Sequence, residues 1–242
     1  MRNKTLDIAK GIAMISIILG HLSVWRINCV VFTYHIPIFY LITGYFLFGA
    51  EKNSFRRFAG KKARTLLVPY YVACLLIIMF SIPLNMYLGE DVKTQVIRWI
   101  KAALYAAGDS YTAPFEIPGI GAIWFLWAFF WSDIIIHVVF RYTKNWQEWQ
   151  RAFLIIGISA VSYIVGQYIW IPTNLDVGGF AILFVYIGYL LQKIRIWEQG
   201  KLPWICWILC VIVWVYASHT GGINMVIRAV PNFVVLFGAV AG

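Results

Sequence analysis

Eight apolar runs succeed one another along this chain, most of them near the roughly 20 residues that cross a hydrocarbon core, the sixth and seventh shorter. They cover Leu6–Val24, Cys29–Phe48, Leu66–Leu88, Ile123–Phe140, Ala152–Trp170, Gly178–Leu191, Pro203–Ser218 and Met225–Gly242. Hydrophobic residues make up 62% of the chain and charged residues 12%, with mean hydropathy +0.76. An ordinary soluble domain is about 45–50% apolar and about 25% charged. One water-excluding core cannot absorb this surplus, so the solvent for most of the chain is lipid. A bilayer admits only backbones that satisfy their own polar groups, and long continuous runs do so as helices. The sequence therefore predicts an all-α, polytopic transmembrane helix bundle, one unit over 1–242, with no linker, repeat or low-complexity tract. The first run starts within a few residues of Met1 and lacks a small-residue cleavage site, so it reads as a retained span.

The formal charge is +10. Its placement explains it. With the N-terminus in the cytoplasm, fifteen of the 20 Lys and Arg residues fall on the inner side and five on the outer. That asymmetry is the positive-inside pattern, which accounts for the basic balance through topology and anionic lipid. No nucleic-acid partner is implied; the expected partner is membrane lipid. Cys29, Cys74, Cys206 and Cys210 read as small apolar side chains. Cys206 and Cys210 lack a second pair to complete a metal site, and no metal is expected.

The long non-spanning segment, Gly89–Gly121, lies outside in this topology. Its first half, "DVKTQVIRWIKAALYAAG", has helical spacing, with Val92, Val96, Ile97, Ile100 and Leu104 on one side. It reads as an amphipathic helix on the outer face. The aromatic stretch after it suits either a substrate-facing loop or an interfacial anchor.

Ionisable groups inside spans are costly and mark function. The first run, "LDIAKGIAMISIILGH", holds Asp7, Lys10 and His21. At about 100° per residue, Lys10 and His21 differ by only about 20° in azimuth, with roughly 16 Å between them along the axis. Asp7 shares their stripe. Such a stripe should face a bundle interior or a wet tunnel, although a helix-surface Asp–Lys pair explains Asp7 and Lys10 equally simply. A second histidine, His35, opens the next run in "FTYHIPIFYLITGYF", so two imidazoles can meet at the outer mouth of one hairpin. Histidine suits general-base chemistry near neutrality. Lys61, Lys62 and Arg64 crowd the inner end of the third run and could hold phosphates of a cytoplasmic donor. "WSDIIIH" sets Asp133 and His137 one turn apart; His219 reads as an exposed loop residue. No HExxH, Gly-rich phosphate loop or GxSxG elbow is present.

These blocks resemble the acyltransferase-3 family of integral-membrane proteins. Lys10 and His21 match its Arg/Lys-x10-His motif. "HIPIFYLITGYF", "KKARTLLVPYY", "GAIWFLWAFF" and "IPTNLDVGGFAILFVYIGYLL" resemble later blocks in order, and the last is similar to the fucose 4-O-acetylase-like and racemase-linked branches. The resemblance implies transfer of a short acyl group, usually acetyl, from cytoplasmic acetyl-CoA to a hydroxyl of an extracytoplasmic glycan or envelope molecule, in the bacterial cytoplasmic membrane. It implies catalytic roles for His21, Lys10 and His35, and donor binding by Lys61, Lys62 and Arg64. Family members have about ten spans, so eight suggest a C-terminally shortened chain. The same polar path also fits a non-catalytic membrane module or a small-molecule transporter, and a homodimer is compatible with either.

Overall fold

The computed structural model describes residues 4–22, 24–47, 54–112, 115–194 and 203–242. Among them the secondary structure is helical, with only isolated bridges at Tyr111–Ile117 and Asn224–Ala229. The helices are α1 (Lys4–Gly20), α2 (Trp25–Val31), α3 (Pro37–Tyr45), α4 (Phe55–Lys62), α5 (Val68–Leu88), α6 (Val92–Tyr105), α7 (Phe125–Tyr142), α8 (Glu148–Tyr168), α9 (Leu175–Lys193), α10 (Trp204–His219) and α11 (Phe233–Ala241). Four continuous helical stretches are long and apolar enough to cross a bilayer: Phe55–Leu88, Ala122–Tyr142, Glu148–Tyr168 and Pro172–Lys193; α10 is a shorter apolar helix. The protein is a multi-pass membrane helix bundle.

Hydropathy placed these long helices but joined elements that chemistry separates. The run expected as one span over 29–48 is two short helices with a turn at 32–36. Pro37 sits at the N-terminus of α3. It has no N–H for the Thr33 carbonyl, so the ladder breaks there and restarts. The run over 225–242 likewise divides. A tight turn bridges Asn224 and Ala229, and α11 starts only after Pro231, where the Asn232 side chain accepts the Val235 N–H at 3.2 Å. The sixth run, short on paper, is one unbroken helix through Gly178 and Gly179.

The chain divides into two compact units, residues 1–49 with 183–242, and residues 50–182. In the first, α1 packs on α2 and α3, and α10 packs on α2 and α11. Gly44 of α3 and Gly188 of α9 let two backbones meet: a Cβ on Gly44 would strike the Val185 carbonyl, and one on Gly188 the Leu41 carbonyl. Close approach through small residues is a common way for helices to associate in lipid.

In the second unit, α5 packs on α6 and α4 on α7. The Tyr70 hydroxyl donates to the Ala103 carbonyl at 2.7 Å. Asp91 caps α6 by accepting from the Lys93 and Thr94 amides at 3.3 and 3.1 Å. The apolar side of α6 then splits. Ala102 and Ala103 are buried, whereas Ile97, Ile100 and Leu104 face outward. After α6 the chain folds onto itself: Tyr111 stacks on Trp170 at 4.0 Å between ring centres, and buried Asn174 donates to the Ala106 carbonyl.

Arg151 enters the charge asymmetry as a topological cation, but the fold gives it a second role. It is 6% exposed and ties the α7–α8 turn together. Its Nε donates to Thr143 Oγ1 at 3.0 Å, Nη2 to the Thr143 carbonyl at 2.7 Å and Nη1 to Glu148 at 2.8 Å. The guanidinium also lies 4.8 Å from the Phe140 ring centre. Lysine keeps the charge but not this planar fork. Arg151→Lys is expected to destabilise the protein by about 1–3 kcal/mol, the cost of stranding buried acceptors. A melting temperature in detergent equal to that of the unaltered chain would contradict this.

Candidate functional site

The first unit carries Lys10, His21 and His35. The inward ridge of α1 is Leu6, Ala13, Ser16 and Gly20. Lys10 is half-buried, with Nζ 5.5 Å from the centre of the Phe46 ring, a cation–π contact that partly shields the charge. The helix ends at Gly20, earlier than expected. His21 stands in a tightened terminal turn, its amide bonded to the Ile18 carbonyl at 3.1 Å, and it is exposed. Helix termination at Gly20 leaves the imidazole outside the packed ridge.

The exposed ring is nonetheless fixed. His21 Nδ1 lies 2.7 Å from the Ile17 carbonyl oxygen. A carbonyl can only accept, so Nδ1 carries a proton, and in the neutral ring Nε2 is the nitrogen with the lone pair. His35, 7% exposed, repeats the arrangement: its Nδ1 donates to the Val31 carbonyl at 2.7 Å, and its ring stacks on Phe32.

The turn bearing His35 is held from several directions that no local sequence signal reveals. The Tyr34 hydroxyl and Ser16 Oγ of α1 share a hydrogen bond at 2.9 Å. Trp214 Nε1 of α10 donates to Thr33 Oγ1 at 2.9 Å. The Ile223 amide donates to the Phe32 carbonyl at 3.0 Å. Such outer contacts keep functional groups in register.

The second unit carries the basic cluster. Between α4 and α5 the helix widens into a π turn, Ala63–Leu67. Pro69 explains it: a helical proline offers no N–H to the carbonyl four residues back and crowds it, and a wider turn relieves both conflicts. Thr65 Oγ1 bonds the Lys61 and Lys62 carbonyls at 3.0 and 3.2 Å. Lys61 and Arg64 are exposed. Lys62 turns the other way, onto Asp133 Oδ2 at 2.7 Å. Asp133 and His137 do share the buried face of α7, but the carboxylate meets Lys62, and the fully buried imidazole stacks on Phe58 at 4.2 Å. His219 closes α10 and is exposed.

A family model described as an acyltransferase domain matches residues 3–242. The chain belongs to this acyltransferase family. It is similar to the nodulation protein NolL of Mesorhizobium japonicum, 27% identical over 228 residues, which are 88% of this chain and 54% of that protein. It is also similar to NolL of Sinorhizobium fredii, 27% identical over 163 residues, 60% of this chain and 39% of that protein. The chain thus spans about half the length of the curated relatives it matches. No solved structure matches it.

Proposed function

We propose that this chain is the acyl-transfer part of a membrane O-acyltransferase. It would move an acetyl or other short acyl group from cytoplasmic acyl-CoA to a hydroxyl of an extracytoplasmic glycan or envelope molecule. The observation that carries this reading is the His21 imidazole, exposed, with its proton fixed on Nδ1 and its Nε2 lone pair free. A base so held is ready to accept a hydroxyl proton. In the reaction, Nε2 takes that proton as the acceptor oxygen attacks the thioester carbonyl carbon. The tetrahedral intermediate collapses, the C–S bond breaks, and the imidazolium returns its proton to the departing CoA thiolate. The products are an acyl ester and free CoA.

Helical spacing supports the roles proposed for the other groups. An oxyanion contact needs about 2.7–3.1 Å, and Lys10 lies roughly 16 Å from His21 along α1. Lys10 therefore steers the donor by its charge and does not touch the carbonyl that His21 serves. His35, buried in the turn between α2 and α3, orients the acceptor or assists proton transfer. Lys61 and Arg64 meet the CoA phosphates from the cytoplasmic side, where the positive-inside count places them. The membrane is the bacterial cytoplasmic membrane, with the N-terminus inside.

Membranes containing the protein should transfer label from radiolabelled acetyl-CoA to the envelope glycan fraction, as esters that alkali releases. Absence of labelled ester would overturn the reading. Movement of a solute with no acyl donor present would favour a transporter instead.

A further inference from the structure

The acyl transfer proposed above leaves the Lys62–Asp133 pair unused. The Asp133 side chain is 2% exposed and the Lys62 side chain 29%. A buried pair seldom stabilises more than apolar side chains would, since desolvating both charges offsets their attraction; fixing geometry is its better-attested use. Here the geometry is a ladder of two rungs. Phe58 and Lys62 stand one turn apart on α4, His137 and Asp133 one turn apart on α7, and Phe58 stacks on His137 while Lys62 binds Asp133. The upper rung falls at the last residue of α4, directly before the π turn. Lys61 and Arg64, on either side of it, face outward. A π turn changes the azimuth of whatever follows, so the direction of these two cations depends on where α4 is fixed.

We infer that Asp133 is a positioning residue for the acyl donor: it withdraws Lys62 from the phosphate-binding set and uses it to pin α4 on α7, so that Lys61 and Arg64 present their charges to the CoA phosphates at a set spacing. The inference rests on the donor reading above. It assigns Lys62 a role opposite to the phosphate contact expected from the sequence.

The test is calorimetric binding of acetyl-CoA to the purified full chain in detergent, with melting temperature as the folding control. Asp133→Asn and Lys62→Met should each weaken binding by about tenfold, the scale of one lost charge-assisted contact. The double variant should be no weaker than either single change, because both remove the same clamp. Exchanging the charges, Lys62→Asp with Asp133→Lys, should recover most of the affinity. In turnover assays the loss should fall on the KM for acetyl-CoA, with kcat nearly unchanged. If Asp133→Asn fails to fold, Lys62→Met and the exchanged pair carry the test. Binding unweakened or strengthened by Asp133→Asn, but weakened by Lys62→Met, would make Lys62 a direct ligand and remove the clamp alone. Failure of the unaltered chain to bind acetyl-CoA would remove the donor reading, and the clamp with it.

Discussion

Replacing His21 by alanine is expected to lower acyl transfer by roughly 10²–10⁴-fold, the usual contribution of a positioned general base. The reasoning is local. The Ile17 carbonyl fixes the Nδ1 proton, so the ring can offer only Nε2 to an incoming hydroxyl. Alanine removes the proton acceptor while leaving the packed ridge of Leu6, Ala13, Ser16 and Gly20 untouched, and the exposed ring leaves no internal cavity behind. Activity should therefore fall without a matching loss of folded protein. His219→Ala is the matched control, since that histidine is also exposed and closes a helix but stands outside the proposed machinery. Acetyl ester on the glycan, measured by mass spectrometry in cells making each variant, reads the difference. Equal ester levels in the His21→Ala and unaltered cells would remove His21 from the chemistry.

Gly188→Ala should have the largest effect on the fold. A methyl group there would run into the Leu41 carbonyl, and the Gly44 position meets Val185 in the same way. The obstacles are main-chain atoms of a facing helix, which cannot swing aside as a side chain can. The α3–α9 contact must open as a whole, losing the dispersion contacts along it. The cost should exceed the roughly 1–3 kcal/mol of ordinary overpacking, enough to deplete the folded population of a marginally stable protein. A methyl group on Gly157 of α8 would meet nothing within 4 Å, so Gly157→Ala should be neutral or stabilise by up to about 1 kcal/mol through helix propensity. Detergent size-exclusion yield and melting temperature distinguish the two. A monodisperse Gly188→Ala protein melting like the unaltered chain would contradict the packing described.

The sequence displayed α5, α7, α8 and α9 because lipid imposes one simple demand, a long apolar run, and hydropathy reads it directly. The helical period also predicts Lys10 and His21 on one stripe, but α1 ends at Gly20, one residue short of His21. The breaks at Pro37 and Pro231 were visible as residues but hidden by averaging hydropathy over windows longer than the elements. The hairpin of the first two runs was legible, and α1 does pack on α2 and α3, but the residues that make the contact were not. Whether His21 is covered depends on where the helix stops and which helices flank it. The Lys62–Asp133 pair was equally hidden, because its members lie on different helices and only the packing of α4 on α7 joins them. Asp133 beside His137 looked like a carboxylate–imidazole pair along one helix, and cross-helix partners claimed both groups.

The central claim is that an acyl group passes from acyl-CoA on one side of the membrane to a hydroxyl on the other, with His21 accepting the proton. Sealed proteoliposomes test it most directly, with radiolabelled acetyl-CoA outside, envelope glycan inside, and the protein oriented with its N-terminus outward. The account predicts alkali-labile label on the enclosed glycan, lost in the His21→Ala protein. Label appearing only when donor and glycan share a compartment, or persisting undiminished without the His21 imidazole, would contradict it.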